Sequence, residues 1–365
     1  MQYDILMKKT HVLSYGPELV HQRLQREELG ILRFQGGDVS AWQKSLRRRL
    51  AVQMGYDIMP GKNKRVPLKV RTLWHHADMP WAAGLGSVTK IVFTAEQGAD
   101  VPAYVCLPHN VKPPYRWMIC LQGHSSGMHN SLGILAKEDP TIINPSPNVK
   151  QVEGDRDFAL GCLKRGFAAL CIEQRNFGER LFQARWEEWS KRVCLQPAMH
   201  SMMLGRTLAA ERVFDVDRAL DYLWTRKDVD RANVGVMGNS GGGTTSIYAG
   251  ALLPRVAFMM PSCSFCTYRG SIMSIYHCPD NYIPGLLRWA ESADIVGLFA
   301  PKPVVVVAGN KDDIFPIQHV RKAYADLRKI YRAAGAEKQC QLVVGDGGHR
   351  FYADDAWPVL TKMIK

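Results

Sequence analysis

The chain has no run of about 18 consecutive apolar residues, roughly what an α-helix needs to cross a bilayer. A membrane partner is therefore not expected. Its start, Met1-Gln2-Tyr3-Asp4-Ile5, lacks the basic-then-apolar pattern of a secretory signal. The expected compartment is the cytoplasm, unless a leader has been trimmed away. Internal repeats and low-complexity stretches are missing too, which excludes repeat architectures.

Zinc-finger spacing is absent as well. The nine cysteines are scattered and odd in number. Cys106, Cys120, Cys162, Cys171 and Cys340 sit in or beside apolar stretches, as small buried hydrophobes do in a reducing compartment. Cys263-Ser264-Phe265-Cys266 has C-x-x-C spacing, but no second Cys/His pair stands at zinc-finger distance and no thioredoxin-like βαβ context surrounds it. No metal is expected.

Negative charge is in short supply. Asp and Glu number 34 against 47 Lys and Arg, a formal charge of +13. The bases are nevertheless spread out. The densest cluster, Lys44 with Arg47-Arg48-Arg49, reads as a solvated helix face. The charge speaks for solubility and attraction of anions, and a nucleic-acid partner is not expected.

What is present is enough apolar material, 46% of 365 residues, for one large α/β domain with additions. Residues 1–88 read as a helical N-terminal extension, with Glu18 to Gln25 and Ser40 to Met54 at helical spacing. Residues 89–365 read as the catalytic domain. Lys90 to Thr94 and Val101 to Cys106 suggest an antiparallel hairpin at a sheet edge. Continuous apolar runs follow at Trp117–Leu121, Phe167–Ile172, Val234–Met237, Val256–Met260, Pro303–Ala308 and Gln341–Val344. Unbroken runs belong to strands covered on both faces, which a parallel sheet flanked by helices provides. Val213, Val216, Leu220 and Leu223 mark an amphipathic helix between them. His319 to Ala333 and Ala353 to Ile364 are two more. Residues 264–299 are too long for a plain loop and are expected to form a small lid insertion. The alternation predicts an α/β domain with a mostly parallel central sheet.

The strongest local signal is Val234-Gly235-Val236-Met237-Gly238-Asn239-Ser240-Gly241-Gly242. A strand runs into G-x-S-x-G and then into a plausible helix. A serine on such a turn has its hydroxyl lifted out of the sheet, next to the free N–H groups of a helix N-terminus. Gly123-His124-Ser125-Ser126-Gly127 fits the same pattern but lacks the small helix-packing residues after it. Ser125 is therefore read as part of an oxyanion loop, and Ser240 as the nucleophile.

In this fold the acid and the base follow the serine in that order. The Pro303–Ala308 strand ends in Gly309-Asn310-Lys311-Asp312-Asp313, where both carboxylates are in reach. Asp312 is taken as the acid and Asp313 as a loop cap. His349, past the last strand, is taken as the base, because an imidazole titrates near neutrality and a carboxylate can fix its tautomer. The backbone N–H groups of His124 and Gly241 are the expected oxyanion donors.

With Leu121-Gln122-Gly123-His124, Gln174-Arg175-Asn176-Phe177-Gly178-Glu179-Arg180, Gly238 to Gly242, Gly309 to Asp312 and Gly348-His349, residues 85–365 resemble the acetyl xylan esterase-like and dienelactone hydrolase-like carboxylesterases of the α/β-hydrolase superfamily. A looser likeness extends to the leader containing Trp42. The resemblance implies the α/β-hydrolase fold, cleavage of carboxylic esters, often on sugars, and no cofactor. It also favours Asp312 over Asp313. Two departures stand out: Gln122 occupies a place where relatives usually carry His, and Ser240 replaces the cysteine of dienelactone hydrolases proper.

Arg175, Arg180, Trp186 and His277 are candidate substrate contacts. For the two arginines, ion pairing with Glu173 or Glu179 is the plainer reading. Trp189 and Trp289 could join Trp186 in a stacking wall or simply pack. The expected partner is a small-molecule or carbohydrate ester. Short acyl groups are favoured by a polar lid carrying Tyr268, Arg269, His277, Asp280 and Asn281, and anionic sugars by the net charge. Assembly as a homo-oligomer is left open. The alternatives are a prolyl-oligopeptidase-like peptidase or amidase, a thioesterase, and an inactive ligand-binding homologue. A leader too short and too helical for a β-propeller argues against the first, and a complete triad against the last.

Overall fold

The computed structural model describes residues 16–27, 30–124, 127–142, 155–181 and 194–364. A nine-stranded sheet organises them, in the order β1-β2-β3-β5-β4-β6-β7-β8-β9. These strands are Arg71–His76 (β1), Gly86–Glu96 (β2), Ala99–Pro108 (β3), Tyr115–Leu121 (β4), Phe167–Ile172 (β5), Val229–Asn239 (β6), Phe258–Ser262 (β7), Val304–Gly309 (β8) and Cys340–Gly345 (β9). The first three pair antiparallel, β3 meets β5 antiparallel, and every pairing from β5 to β9 is parallel.

The parallel strands are the apolar runs of the sequence, and their side chains sort by strict alternation. Trp117, Ile119 and Leu121 join one core, while Met118 and Cys120 join the other. Val304, Val306 and Ala308 likewise face away from Val305 and Val307. Helices cover both faces, which is why no polar alternation is visible in these strands. The first core takes Leu46, Leu50 and Met54 of helix Val39–Met54, the 213–223 face of helix Leu208–Thr225, and Val320 and Leu327 of helix Ile317–Ala333. The second takes Phe158 and Leu163 of helix Phe158–Leu163, with Trp357 and Leu360 of helix Ala353–Met363.

The leader holds the expected helices, Pro17–Glu27 and Val39–Met54, and also a strand that was not expected. β1 pairs with β2, so the edge of the sheet is β1 and the hairpin lies one strand further in. The basic cluster is not wholly a solvated face either. Arg47 donates to the carbonyls of Ala251 and Leu298, and the Arg49 guanidinium lies 3.8 Å over the Trp289 ring. That placement gives Trp289 a packing partner in the Val39–Met54 helix. Residues 264–299 are a series of short 3-10 turns closed by helix Ser292–Gly297. No helix among the described residues is long and apolar enough to cross a membrane.

Candidate active site

Ser240 stands between β6 and helix Gly241–Leu252 at φ 57° and ψ −123°. A non-glycine residue in that region costs on the order of 1–3 kcal/mol, so the surroundings must impose it. They do so by close approach. A Cβ on Gly242 would stand 2.0 Å from the Leu121 carbonyl oxygen, and one on Gly238 would stand 2.6 Å from the same atom. Both positions flanking the serine must therefore be glycine for the turn to pack on the end of β4. The Ser240 N–H donates to the Ser262 carbonyl at 2.9 Å, and Gly241 begins the helix. The backbone after β4 passes directly by: a Cβ on Gly123 would lie 3.0 Å from Ser240 Cβ and 3.4 Å from the Gly241 nitrogen. Thus the structure brings the His124 segment and Gly241 side by side.

Asp312 and His349 follow β8 and β9, at the same end of the sheet. His349 Nδ1 lies 2.9 Å from Asp312 Oδ2, which places the proton on Nδ1 and leaves Nε2 as the acceptor. The other carboxylate oxygen accepts from the Ile314 and Phe315 N–H groups at 2.9 and 3.0 Å. Burial opposes ionisation of Asp312, but His349 and these two N–H groups outweigh it and hold the carboxyl below its usual range. Asp313 is exposed, whereas Asp312 is 4% exposed. Ser262, at the end of β7, ties the two sides together. Its hydroxyl donates to Asn239 Oδ1 at 2.8 Å and contacts the Arg350 carbonyl at 3.4 Å.

The two cysteines of the C-x-x-C stretch go separate ways. Cys263 donates to the Arg350 carbonyl and Cys266 to the Pro316 carbonyl, and burial pushes both thiols up to about 12. Cys263 also stands beside the Asp312–His349 pair, its sulfur within 4.8 Å of their donor atoms.

His124 has more around it than a backbone role requires. Its ring crosses Phe177 edge-on at 4.8 Å, and a Cβ on Gly241 would lie 3.0 Å from its Nδ1. Its Nε2 lies 3.1 Å from Asp280 Oδ2, an oxygen that also receives the buried Arg212 guanidinium. Cys194 Sγ is 3.6 Å from that oxygen and accepts from Asn176 Nδ2 at 3.4 Å. Burial works against charge on His124, yet Asp280 prevails and pushes the imidazole up to about 10. Sequence reasoning placed Asp280 in a polar lid but missed its pairing with His124, and missed Arg212 and Cys194 altogether, because these residues come from distant segments with no motif spacing.

His277 is placed near the site. Its Nε2 is 3.0 Å from the Ser271 hydroxyl, and its ring meets Phe315 edge-on at 5.5 Å. Burial, reinforced by repulsion from His124 and His349, lowers it to about 4 and keeps it neutral near pH 7.

The two arginines correct an expectation. Arg175 binds Asp215, Glu96 and Glu211, while Arg180 binds Asp215 and the Glu173 carbonyl. Asp215 is fully buried on helix Leu208–Thr225 and draws both guanidinium groups inward, away from a substrate-binding role. Ion pairing does hold the loop, but through Asp215, since Glu179 is paired with Lys90. Gln122, at the position of the departure, donates to Ser131 Oγ and to the Arg156 carbonyl, both at 2.8 Å, and braces the loop. Within residues 264–299, Arg269 is turned to Glu291 and the Gln25 carbonyl, and the Tyr268 hydroxyl to Tyr248. Ser125, Trp186 and Trp189 lie outside the described residues.

No protein-family model matches the chain. It is 27% identical over 251 residues to YtaP of Bacillus subtilis (strain 168), a protein assigned to the hydrolases, covering 68% of this chain and 77% of that one. Among solved structures it is similar to a protein of Bacteroides fragilis assigned as an acetyl xylan esterase. That likeness has a TM-score of 0.73 and 16% identity, over 96% of this chain and 86% of the other. Methylesterase BT1017 aligns with a TM-score of 0.65 and 19% identity, over 90% of this chain but 64% of its own length. The fold, a mostly parallel sheet flanked by helices, is that of the α/β-hydrolases.

Proposed function

From a chain with the α/β-hydrolase fold, we propose a serine esterase that cleaves carboxylic esters through an acyl-enzyme on Ser240. The observation that carries this reading is the strained elbow at Ser240, φ 57° and ψ −123°, at the same end of the sheet as the bonded His349–Asp312 pair. Strain of this kind persists where an exposed hydroxyl is the return for it.

The steps follow from the groups present. His349 Nε2 accepts the Ser240 proton as Oγ attacks the ester carbonyl. Asp312 keeps the imidazole in the required tautomer and stabilises the imidazolium. The carbonyl oxygen, now an alkoxide, is received by the N–H groups of His124 and Gly241. Collapse expels the alcohol, which takes the proton from His349. Water then repeats the sequence on the acyl-enzyme, and the free acid leaves. Each step uses only side chains, backbone N–H groups and water.

The proposed substrate is a small ester on a sugar, acetylated or methyl-esterified. The names of the similar structures support this, an acetyl xylan esterase and a methylesterase. A fluorophosphonate probe followed by peptide mapping tests the chemistry, with labelling expected at Ser240 and lost in Ser240→Ala. Rates on 4-nitrophenyl esters of rising chain length, beside acetylated and methyl-esterified sugars, test the substrate. Faster cleavage of peptides, anilides or thioesters than of any oxygen ester would replace the esterase reading with a peptidase, amidase or thioesterase.

A further inference from the structure

We propose that His124, Cys194, Cys278 and Asp280 form a binding site for one zinc-class divalent cation, beside the Ser240 elbow and apart from the reacting atoms. One donor atom from each of the four residues lies within 4.8 Å of all the others. The edges that define the cluster are His124 Nε2 to Asp280 Oδ2 at 3.1 Å and Cys194 Sγ to the same oxygen at 3.6 Å. A tetrahedral zinc with bonds of about 2.0–2.3 Å requires donor–donor edges of roughly 3.3–3.8 Å, so small side-chain adjustments complete it. Two sulfurs and an imidazole select zinc and its neighbours over magnesium or calcium, which take oxygen ligands. Four protein donors leave no open position, as in sites that hold structure.

The surroundings are those of a supported site. Arg212, buried, donates to Asp280 Oδ2, and its Nε donates to the Arg175 carbonyl. Asn176 Nδ2 donates to Cys194 Sγ at 3.4 Å, the kind of N–H···S bond that steadies a thiolate, and Asn281 Nδ2 donates to Asp280 Oδ1 at 3.2 Å. With both thiols deprotonated, as zinc ligation requires, two thiolates, one carboxylate, a neutral imidazole, Arg212 and a divalent cation sum to zero.

The site joins three stretches far apart in the chain. His124 follows β4, Cys194 heads helix Leu195–Met203, and Cys278 with Asp280 belongs to the lid. A bound ion would pin the lid and that helix to the segment that carries the proposed oxyanion donor. Only two of the four ligands, Cys278 and Asp280, are near neighbours in sequence, which is why motif spacing does not reveal it.

The test begins with the full-length protein, expressed with zinc in the medium, dialysed and assayed for metal by mass spectrometry. One zinc per chain is expected. Replacement by cobalt should give the thiolate charge-transfer band and the intense visible bands of a tetrahedral ion. Cys278→Ser and the Cys194→Ser/Cys278→Ser pair should lose both signals. Chelation should lower the melting temperature of the parent protein and leave the double variant unchanged. The proposal is overturned if zinc-supplied protein binds none at equimolar micromolar concentration. It also falls if the cobalt spectrum survives in the double variant, or if the mass is two hydrogens low through a Cys194–Cys278 disulfide. The parent protein alone decides the matter should the variants fail to fold. Metal content is read without substrate, so it stands or falls separately from the esterase reading.

Discussion

The ring of Phe315 lies nearly parallel to the imidazole of His349, 5.8 Å between centroids and 15° between planes, while its own N–H donates to Asp312 at 3.0 Å. One residue thus steadies both the proposed base and the proposed acid, through its side chain and its backbone respectively. Phe315→Leu keeps the backbone bond and most of the apolar volume but removes the flat surface. We expect kcat to fall roughly 10- to 100-fold, the scale of a small misplacement of a reacting group, with KM little changed. Steady-state kinetics on a short ester checks this, and a parallel rise in KM would assign Phe315 to substrate binding instead.

Asp312 and Asp313 are neighbours with opposite environments, one buried and bonded to His349, the other exposed. Asp312→Asn should cost about 10,000-fold in kcat, since the amide stabilises the wrong imidazole tautomer. Asp313→Asn should leave the rate within about twofold, as for a surface change away from the site. Stability adds a second readout. The Asp312 carboxyl is held below its usual range, so its contribution is present above the unfolded value of about 3.9 and is lost as pH falls through the lower folded value. The difference in melting temperature between parent and Asp312→Asn should therefore hold near neutrality and narrow in acid. Equal losses of activity in the two variants would mean that neither aspartate alone orients His349.

Asp215 is expected to matter for stability and not for chemistry. It is fully buried and accepts from Arg175 at 3.1 Å and from Arg180 at 2.6 Å. Asp215→Ala takes the shared carboxylate from two guanidinium groups, leaving Arg175 with Glu96 and Glu211 and Arg180 with the Glu173 carbonyl, and removal of one member of such a buried set costs about 3–5 kcal/mol. Denaturant unfolding measures that loss. A change of under about 1 kcal/mol, the size of a surface pair, would show that the arginines find water or Glu96 instead.

The parallel strands were legible because burial on both faces writes an unbroken apolar run, and five of the six runs differ from the observed strands by only a few residues at their ends. β1 was not, because its Arg-Thr-Leu-Trp-His-His sequence is exposed along one edge and only Trp74 is partly buried. The proposed triad residues, Ser240, Asp312 and His349, could be singled out because each follows a strand, where glycines mark the turn. Arg175 illustrates the limit. Its nearest acidic neighbours in sequence are Glu173 and Glu179, but its partner Asp215 is 40 positions away on a helix. Charge pairing across such separations leaves no periodic trace. The pairing of the His124 side chain with Asp280 was illegible for the same reason.

Glu173 sets a pH dependence of its own. It is fully buried, and burial together with repulsion from Glu179 pushes its carboxyl up to about 7, against the N–H groups of Met128 and Glu179 and the charge of Arg180. Because the folded value is raised, the ionised form is the one that the native state disfavours. No cost exists below the unfolded value of about 4.3; it grows as pH rises through the interval to about 7 and then stays constant. A shift of that size corresponds to about 4 kcal/mol. Glu173→Gln cannot ionise, yet its carbonyl oxygen can still accept from the Met128 and Glu179 N–H groups, 3.2 Å away in the native protein. The variant should therefore gain stability relative to the parent between pH 5 and 8, by up to that amount less any weakening of the two bonds. Unfolding by denaturant at several pH values measures the difference. A gap independent of pH would mean that Glu173 ionises in the folded protein as readily as in the unfolded chain.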